Sequence, residues 1–207
     1  EIPKGCGPGT VNDAYFRFVT DMGIPGPDAG KGGKYLILPP EYKGDVPDGY
    51  FVSQSPTYVN WLILRGFLVD GKTDAAVKMF KEGLKIYPLK DAANPPKMNF
   101  GNMSKKAVNT IHANNFEFYE ELNHVIQREP VEMIEPQLRG LFASIGIQKG
   151  KEFAPDARMK KILTQAVAVG NATARAITFQ PRDPSAYLYE GRYWYTAFIG
   201  GSHEWLK

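Results

Sequence analysis

Three histidines, His112, His124 and His203, are the side chains best suited to ligate a metal or move a proton near neutral pH. His112 and His124 flank a segment carrying Glu117, Glu120 and Glu121. On a helix, His124 stands four residues from Glu120 and three from Glu121, so a nitrogen and an oxygen ligand would share one face. Two ligands do not close a metal site, and a Glu/His pair is also an ordinary solvated helix surface. His203-Glu204 lacks the second histidine of an H-E-x-x-H motif. No metal centre and no cofactor is therefore read from these residues. His112, Glu120 and Glu121 stand as candidates for contacting a ligand.

Other chemistries find less support. The chain has no G-x-S-x-G nucleophile elbow. Ser202-His203-Glu204 is contiguous, whereas the members of a catalytic triad converge from separate segments. Cys6 lies among glycines near the start and reads as an incidental free thiol. Gly30-Lys31-Gly32-Gly33-Lys34 imitates a phosphate loop, but a strand follows it where a helix N-terminus is required. It reads instead as a connection whose glycines take positive φ.

Tyr187, Tyr189, Tyr193, Trp194 and Tyr195 crowd one stretch, with Glu190 and Arg192 between them. Amphipathic rings beside charges can stack on a sugar or line a pocket. The same pattern fits a strand buried against the rest of the protein, and that structural reading is preferred. Tyr193 and Trp194 are the ring candidates for a ligand. Arg65 interrupts an apolar segment and Arg175 sits on a helix of small residues. Each guanidinium there needs a carboxylate partner, from the protein or from a ligand.

The elements that must hold these groups change character along the chain. Residues 15–19, 35–38, 50–53 and 58–69 read as strands, with a loop over 22–33 that carries Pro25, Pro27 and five glycines. Residues 58–69 are apolar on both faces, which suits a central covered strand closed by an Asp70-Gly71 turn. A helix follows from Thr73 to Lys85, burying Val77, Phe80 and Leu84. A proline-bearing connection over 87–107 leads to a second helix, with Asn114 and Glu117 as a capping box and Phe118, Leu122, Val125 and Ile126 buried. Pro136 opens a third, stopped by Gly146. Pro155-Asp156 opens the longest, to Thr178, with Met159, Ile162, Leu163, Ala166, Val167, Gly170 and Ala174 inward. The apolar stretch near Trp61 and this helix near Ala166 are expected to share one interior. The tail, 187–198, reads as an aromatic strand.

Composition narrows the partners. The 207 residues are 43% hydrophobic and 23% charged, ordinary globular values. A formal charge of +3 is too small to point to nucleic acid or an anionic membrane. One cysteine excludes an internal disulfide framework. No apolar run reaches the roughly 20 residues of a membrane span. The chain starts at Glu1 without an initiating methionine, and its strands lack closing partners, so it is expected to be an excerpt of a longer polypeptide whose other segments cover the open edges.

Several long collinear stretches carry a resemblance: FRFVTDMGIPGPDAGKGGKYLILPPEYKG (16–44), DGYFVSQSPTYVNWLILRGFLVDG (48–71), NTIHANNFEFYEELNHVIQREP (109–130), FAPDARMKKILTQAVAVGNATARA (153–176) and FIGGSHEW (198–205). Together they resemble the bacterial family that pairs domain of unknown function 1254 with domain of unknown function 1214. The resemblance implies a parent about twice this length, with this chain as its middle segment. It also implies an exported, periplasmic protein. It supplies no catalytic residue.

The expected fold is α+β. A β-rich, antiparallel part of a first domain (1–71) packs with a helical region (72–180) of three to four helices. A strand-like tail (181–207) leads to an absent β domain. Two functions are weighed. One is a non-enzymatic ligand-binding or structural module of a larger homo-oligomeric protein, whose partners are its own missing N- and C-terminal segments. The other is a hydrolase-type enzyme with a polar site between sheet and helices, where Arg65, His112, Glu120, Glu121 and Arg175 would be tested first.

Overall fold

The computed structural model describes residues 1–197 and 199. The described chain is mixed α+β, with strands mainly in its N-terminal part and four α-helices. It divides into two compact units, Glu1–Val108 and Asn109–Lys207.

The first unit is organised by alternation. Strand β1, Gly9–Asp13, buries Gly9, Val11 and Asp13 and turns the residues between them outward. That period of two puts one face on the core. β1 is the middle of an antiparallel sheet ordered β2-β1-β5, where β2 is Phe18–Met22 and β5 is Asn60–Leu64. Val11 sits opposite Thr20 on one side and Leu62 on the other. The β1–β2 turn is built by Asp13, which is 1% exposed. Its carboxylate accepts from Tyr15 N and Arg17 N and from Arg17 Nε, each at 2.8 Å. Behind this sheet Ile2, Cys6, Val11 and Met22 form a buried cluster with Tyr35, Leu64, Phe80 and Leu84 against it.

The sheet reading needs three corrections. β1 is absent from the strands read above, because Gly9-Thr-Val-Asn-Asp is short and flanked by glycine and proline. The strands are not all antiparallel: β3, Tyr35–Leu38, pairs in parallel with β4, Phe51–Gln54. The connection over residues 39–50 is long enough for the crossover that a parallel pair requires. Residues 58–69 hold a strand only over β5, and it is an edge strand, not a covered one. Trp61 is 43% exposed and Leu68 62%. The Asp70-Gly71 turn forms as expected, with φ of 51° and 72° and reciprocal bonds between Val69 and Lys72. Helix α1, Asp74–Gly83, lays Phe80 on the core, while Val77 stays exposed.

The second unit is helical. α2 is Glu117–Arg128, α3 is Pro136–Ser144 and α4 is Ala157–Phe179. The expected Asn114–Glu117 capping box does not form among the described residues: the N-cap position of α2 is Phe116, which makes no side-chain cap bond, and Asn115 just ahead of it accepts from Glu117 N at 2.9 Å. Pro136 opens α3, and Gly146 at φ 91° follows its end. Asp156 caps α4 by accepting from Met159 N at 2.7 Å. Tyr119, Ile126, Ile134, Ile147, Leu163 and Val167 belong to the buried cluster of this unit.

Among the described residues the buried hydrophobic clusters are two, one in each unit, and neither holds Trp61 or Ala166. Only Leu163 and Val167 of α4 are buried; Ile162, Ala166, Gly170 and Ala174 are exposed. The core-facing stripe of α4 is one row at i, i+4, i+8 (Met159, Leu163, Val167), and it ends where the cluster ends. The tail is also revised. Tyr187 and Tyr195 make an isolated antiparallel bridge, preceded by a single helical turn at Pro184–Ala186, and no extended strand forms over the described part of 187–198. His203 and the FIGGSHEW stretch, apart from Ile199, lie outside the described residues.

Candidate functional site

Two segments far apart in sequence meet at Glu1. Ile2 and Gly33 exchange backbone hydrogen bonds at 2.9 and 3.1 Å, and Lys85 N donates to Glu1 O at 3.1 Å. This close approach requires glycine at position 32, where φ is +79° and a Cβ would sit 2.7 Å from Lys4 N. The start of the chain is thereby stitched between the glycine loop and the exit of α1.

A cleft of about 460 Å³ opens beside that seam. Val11, Met22, Leu38 and Leu62 supply apolar wall; Tyr35, Tyr42, Tyr50 and Tyr87 line it with Glu1, Lys34 and Lys85. The charged groups are engaged with one another. The Tyr87 hydroxyl donates to Glu1 Oε1 at 2.5 Å. Lys85 Nζ lies 3.3 Å from Glu1 Oε2, and Lys34 Nζ lies 3.9 Å from Glu1 Oε1 and over the Tyr50 ring. The Tyr87 hydrogen bond, then Lys85, hold the Glu1 carboxyl below its usual range. In return the Glu1 carboxylate pushes the Tyr87 phenol up to about 12. Burial, then its bond to Asp28, raises Tyr35 above the ordinary tyrosine value. Burial likewise raises the Cys6 thiol, with the Asp28 charge second.

The glycine loop resolves its own resemblance to a phosphate cradle. Asp28, 3% exposed, accepts from Gly23 N at 2.8 Å, Gly32 N at 3.1 Å and the Tyr35 hydroxyl at 2.5 Å. A protein carboxylate occupies the place an anion would take.

The residues singled out from sequence lie elsewhere. Arg65 is exposed in the first unit. In the second, His112 is exposed and packs edge-on to Phe118 with ring centroids 5.6 Å apart. Glu121 reaches the same segment, accepting from Ala113 N at 3.2 Å, whereas Glu120 points to solvent. Arg175 is exposed on α4. Tyr193 and Trp194, 82% and 71% exposed, border an open hollow with Arg192. Among the described residues no group of three His, Cys, Asp or Glu side chains is placed to hold a metal ion. None of those candidates lines the first-unit cleft. Its Glu1-Tyr87-Lys85 cluster escapes sequence reasoning because Lys85 and Tyr87 stand 84 and 86 residues from Glu1 and share no motif with it. The recurrence of Tyr and Lys around positions 34–50 is the one signal of it in the sequence.

Comparisons bear on the fold. A family model described as a protein of unknown function (DUF1254) matches residues 1–88. The chain is similar to the crystal structure of the VPA0106 protein from Vibrio parahaemolyticus, with a TM-score of 0.57 and 16% sequence identity. The match covers 98% of this chain and 49% of that one, so the chain spans about half the length of that solved structure. No curated protein matches the chain. No helix of the described residues is long and apolar enough to cross a membrane.

Proposed function

We propose that the chain is a non-enzymatic ligand-binding or structural module of a larger, oligomeric, exported bacterial protein. In that protein a region matching the DUF1254 model continues into a second domain of the DUF1214 type. The observation that carries the binding reading is the direction of the side-chain acidities. Glu1 and Asp183 are lowered, while Cys6, Tyr35, Tyr87 and Tyr119 are raised. Each of these side-chain shifts moves away from neutrality; burial lowers the Glu1 amine toward it, but that amine is held by the Lys85 carbonyl. A general acid or base works best with a pKa near the operating pH. Shifts of the present kind keep each group in one charge state, and for Glu1, Tyr35 and Tyr87 they go with a hydrogen-bond partner.

Exposed apolar surface supports the larger assembly. Phe67, Leu68 and Val69 are 52%, 62% and 54% exposed in consecutive positions beyond β5. Contiguous apolar surface of this kind marks an interaction face. A solved structure about twice as long offers the scale of what would cover it. Native mass spectrometry of the protein from its own source tests the proposal. A subunit longer than 207 residues, assembled in several copies, is expected. A monomer of this chain alone would overturn it.

A further inference from the structure

The second unit carries a cleft of its own, of about 470 Å³, at the foot of α3. Ile126, Ile134, Phe142 and Ile147 are among its apolar walls. Two cations, Arg139 and Lys149, line it, and no Asp or Glu does.

The two cations are held differently. Lys149 is pinned: its Nζ donates to Gln127 O at 2.8 Å and Glu129 O at 2.6 Å, at the carbonyl end of α2. The loop that carries it is pinned as well. Gly150 N donates to Gln127 Oε1 at 2.8 Å, and Gln127 Nε2 donates to Gln148 O at 2.8 Å. An ammonium has three N–H donors, so one remains after the two carbonyls are served. Arg139 is half-buried, and among the described residues its guanidinium has no ion pair or hydrogen bond. A forked donor without an acceptor, at the edge of an apolar cleft, matches a carboxylate in both charge and shape.

We infer that this cleft binds a small amphipathic carboxylate, a medium-chain fatty or aryl-alkyl acid, with its tail among Ile126, Ile134, Phe142 and Ile147 and its head at Arg139 and Lys149. The volume lies in the lower part of the range for small-molecule pockets. The charge pattern selects a monoanion with an apolar body. A sugar would find few polar partners on these walls, and a cation would meet two like charges. The site belongs to the second unit alone and does not rest on the larger assembly.

Gly140 makes the inference testable. It lines the cleft in the middle of α3, and a Cβ built there meets no atom within 4 Å. A larger residue would project into open space, and helices favour leucine over glycine. Gly140→Leu should therefore keep the fold while adding bulk at the border of the cleft.

The probe is sodium decanoate, titrated by calorimetry into the 207-residue chain. One-site binding is expected, with octanoate about fifteen-fold weaker for the loss of two buried methylenes. Arg139→Gln should weaken decanoate at least about ten-fold, the scale of a hydrogen bond to a charged group. Gly140→Leu should weaken binding while thermal melting shows a folded protein, and decanol should bind at least about ten-fold more weakly than decanoate. The inference is overturned by any of three results: no heat with decanoate at millimolar concentration, decanol binding as tightly as decanoate, or Arg139→Gln binding like the parent. If Gly140→Leu fails to fold, Arg139→Gln and the decanol comparison still decide the matter.

Discussion

The Tyr35 hydroxyl donates to the Asp28 carboxylate across 2.5 Å, inside a loop whose Gly23 and Gly32 N–H groups donate to the same carboxylate. The loop of residues 22–33 is consequently an ordered scaffold, with Asp28 as its internal anion. It sets where Tyr35 enters the first-unit cleft and where Gly33 meets Ile2.

Asp28→Asn should destabilise the protein by about 1–3 kcal/mol, because an amide cannot serve all three donors and leaves one buried without a partner. Tyr35→Phe should cost about 1 kcal/mol. The two changes remove one shared interaction, so the double variant should cost less than the sum by at least about 0.5 kcal/mol. Urea unfolding midpoints measure all three. Strict additivity would show that the two groups do not act on one another.

The Glu1–Tyr87 pair makes stability depend on pH at both extremes. Tyr87 titrates near 12 in the folded protein, above its ordinary value of 10, so folding favours the protonated phenol. Its contribution is complete below about pH 10 and fades as the pH climbs toward 12. Glu1 is held below its ordinary value of 4.5, so folding favours the carboxylate. Its contribution is complete above that value and fades as the pH falls through the lowered one. Tyr87→Phe should flatten the alkaline limb and shrink the acid limb. Urea midpoints of parent and variant, taken across pH, check this; parallel curves would remove the pair from the account.

The amino-acid sequence carries much of this fold, and what it conceals has physical causes. The helix boundaries near Pro136, Gly146 and Asp156 are legible because caps act within a few residues. The strand at 35–38 is legible because glycines precede it and Pro39-Pro40 stop it. β1 is hidden because its partners, β2 and β5, lie on either side of it in the sheet yet both follow it in sequence, and its pairing depends on them. The faces of α4 are ambiguous in sequence because small residues are compatible with close packing and equally with exposure. The same ambiguity holds for His112 and Glu121, which meet around one segment ahead of α2. The site at Glu1 leaves only the recurring Tyr and Lys of residues 34–50 as a trace in the sequence, because it is assembled by long-range backbone pairing, not by spacing.

Cys6 offers a direct check on the first-unit core. It is fully buried, and burial raises its thiol above the ordinary range, so little thiolate exists at neutral pH. Dithionitrobenzoate should leave Cys6 unmodified in the folded protein and react stoichiometrically in urea. Rapid reaction under native conditions would contradict the packing around Ile2, Val11 and Met22.

Helix α4 separates a core face from an uncovered one, and mutation can measure the difference. Leu163 is 3% exposed within the second-unit cluster, so Leu163→Ala should cost about 2–5 kcal/mol through lost burial and a residual cavity. Val169, 66% exposed, should tolerate serine within about 0.5 kcal/mol. Gly170 has open space where a Cβ would stand, so Gly170→Ala should stabilise by about 0.5–1 kcal/mol through helix propensity alone. Had the small residues of α4 faced a close neighbour, that methyl would clash and the sign would reverse. Denaturation of this chain and of the longer parent protein proposed above therefore reads the face twice. Gain in the chain together with loss in the parent would locate the covering partner on Gly170, whereas loss in the chain itself would refute the exposure of this face.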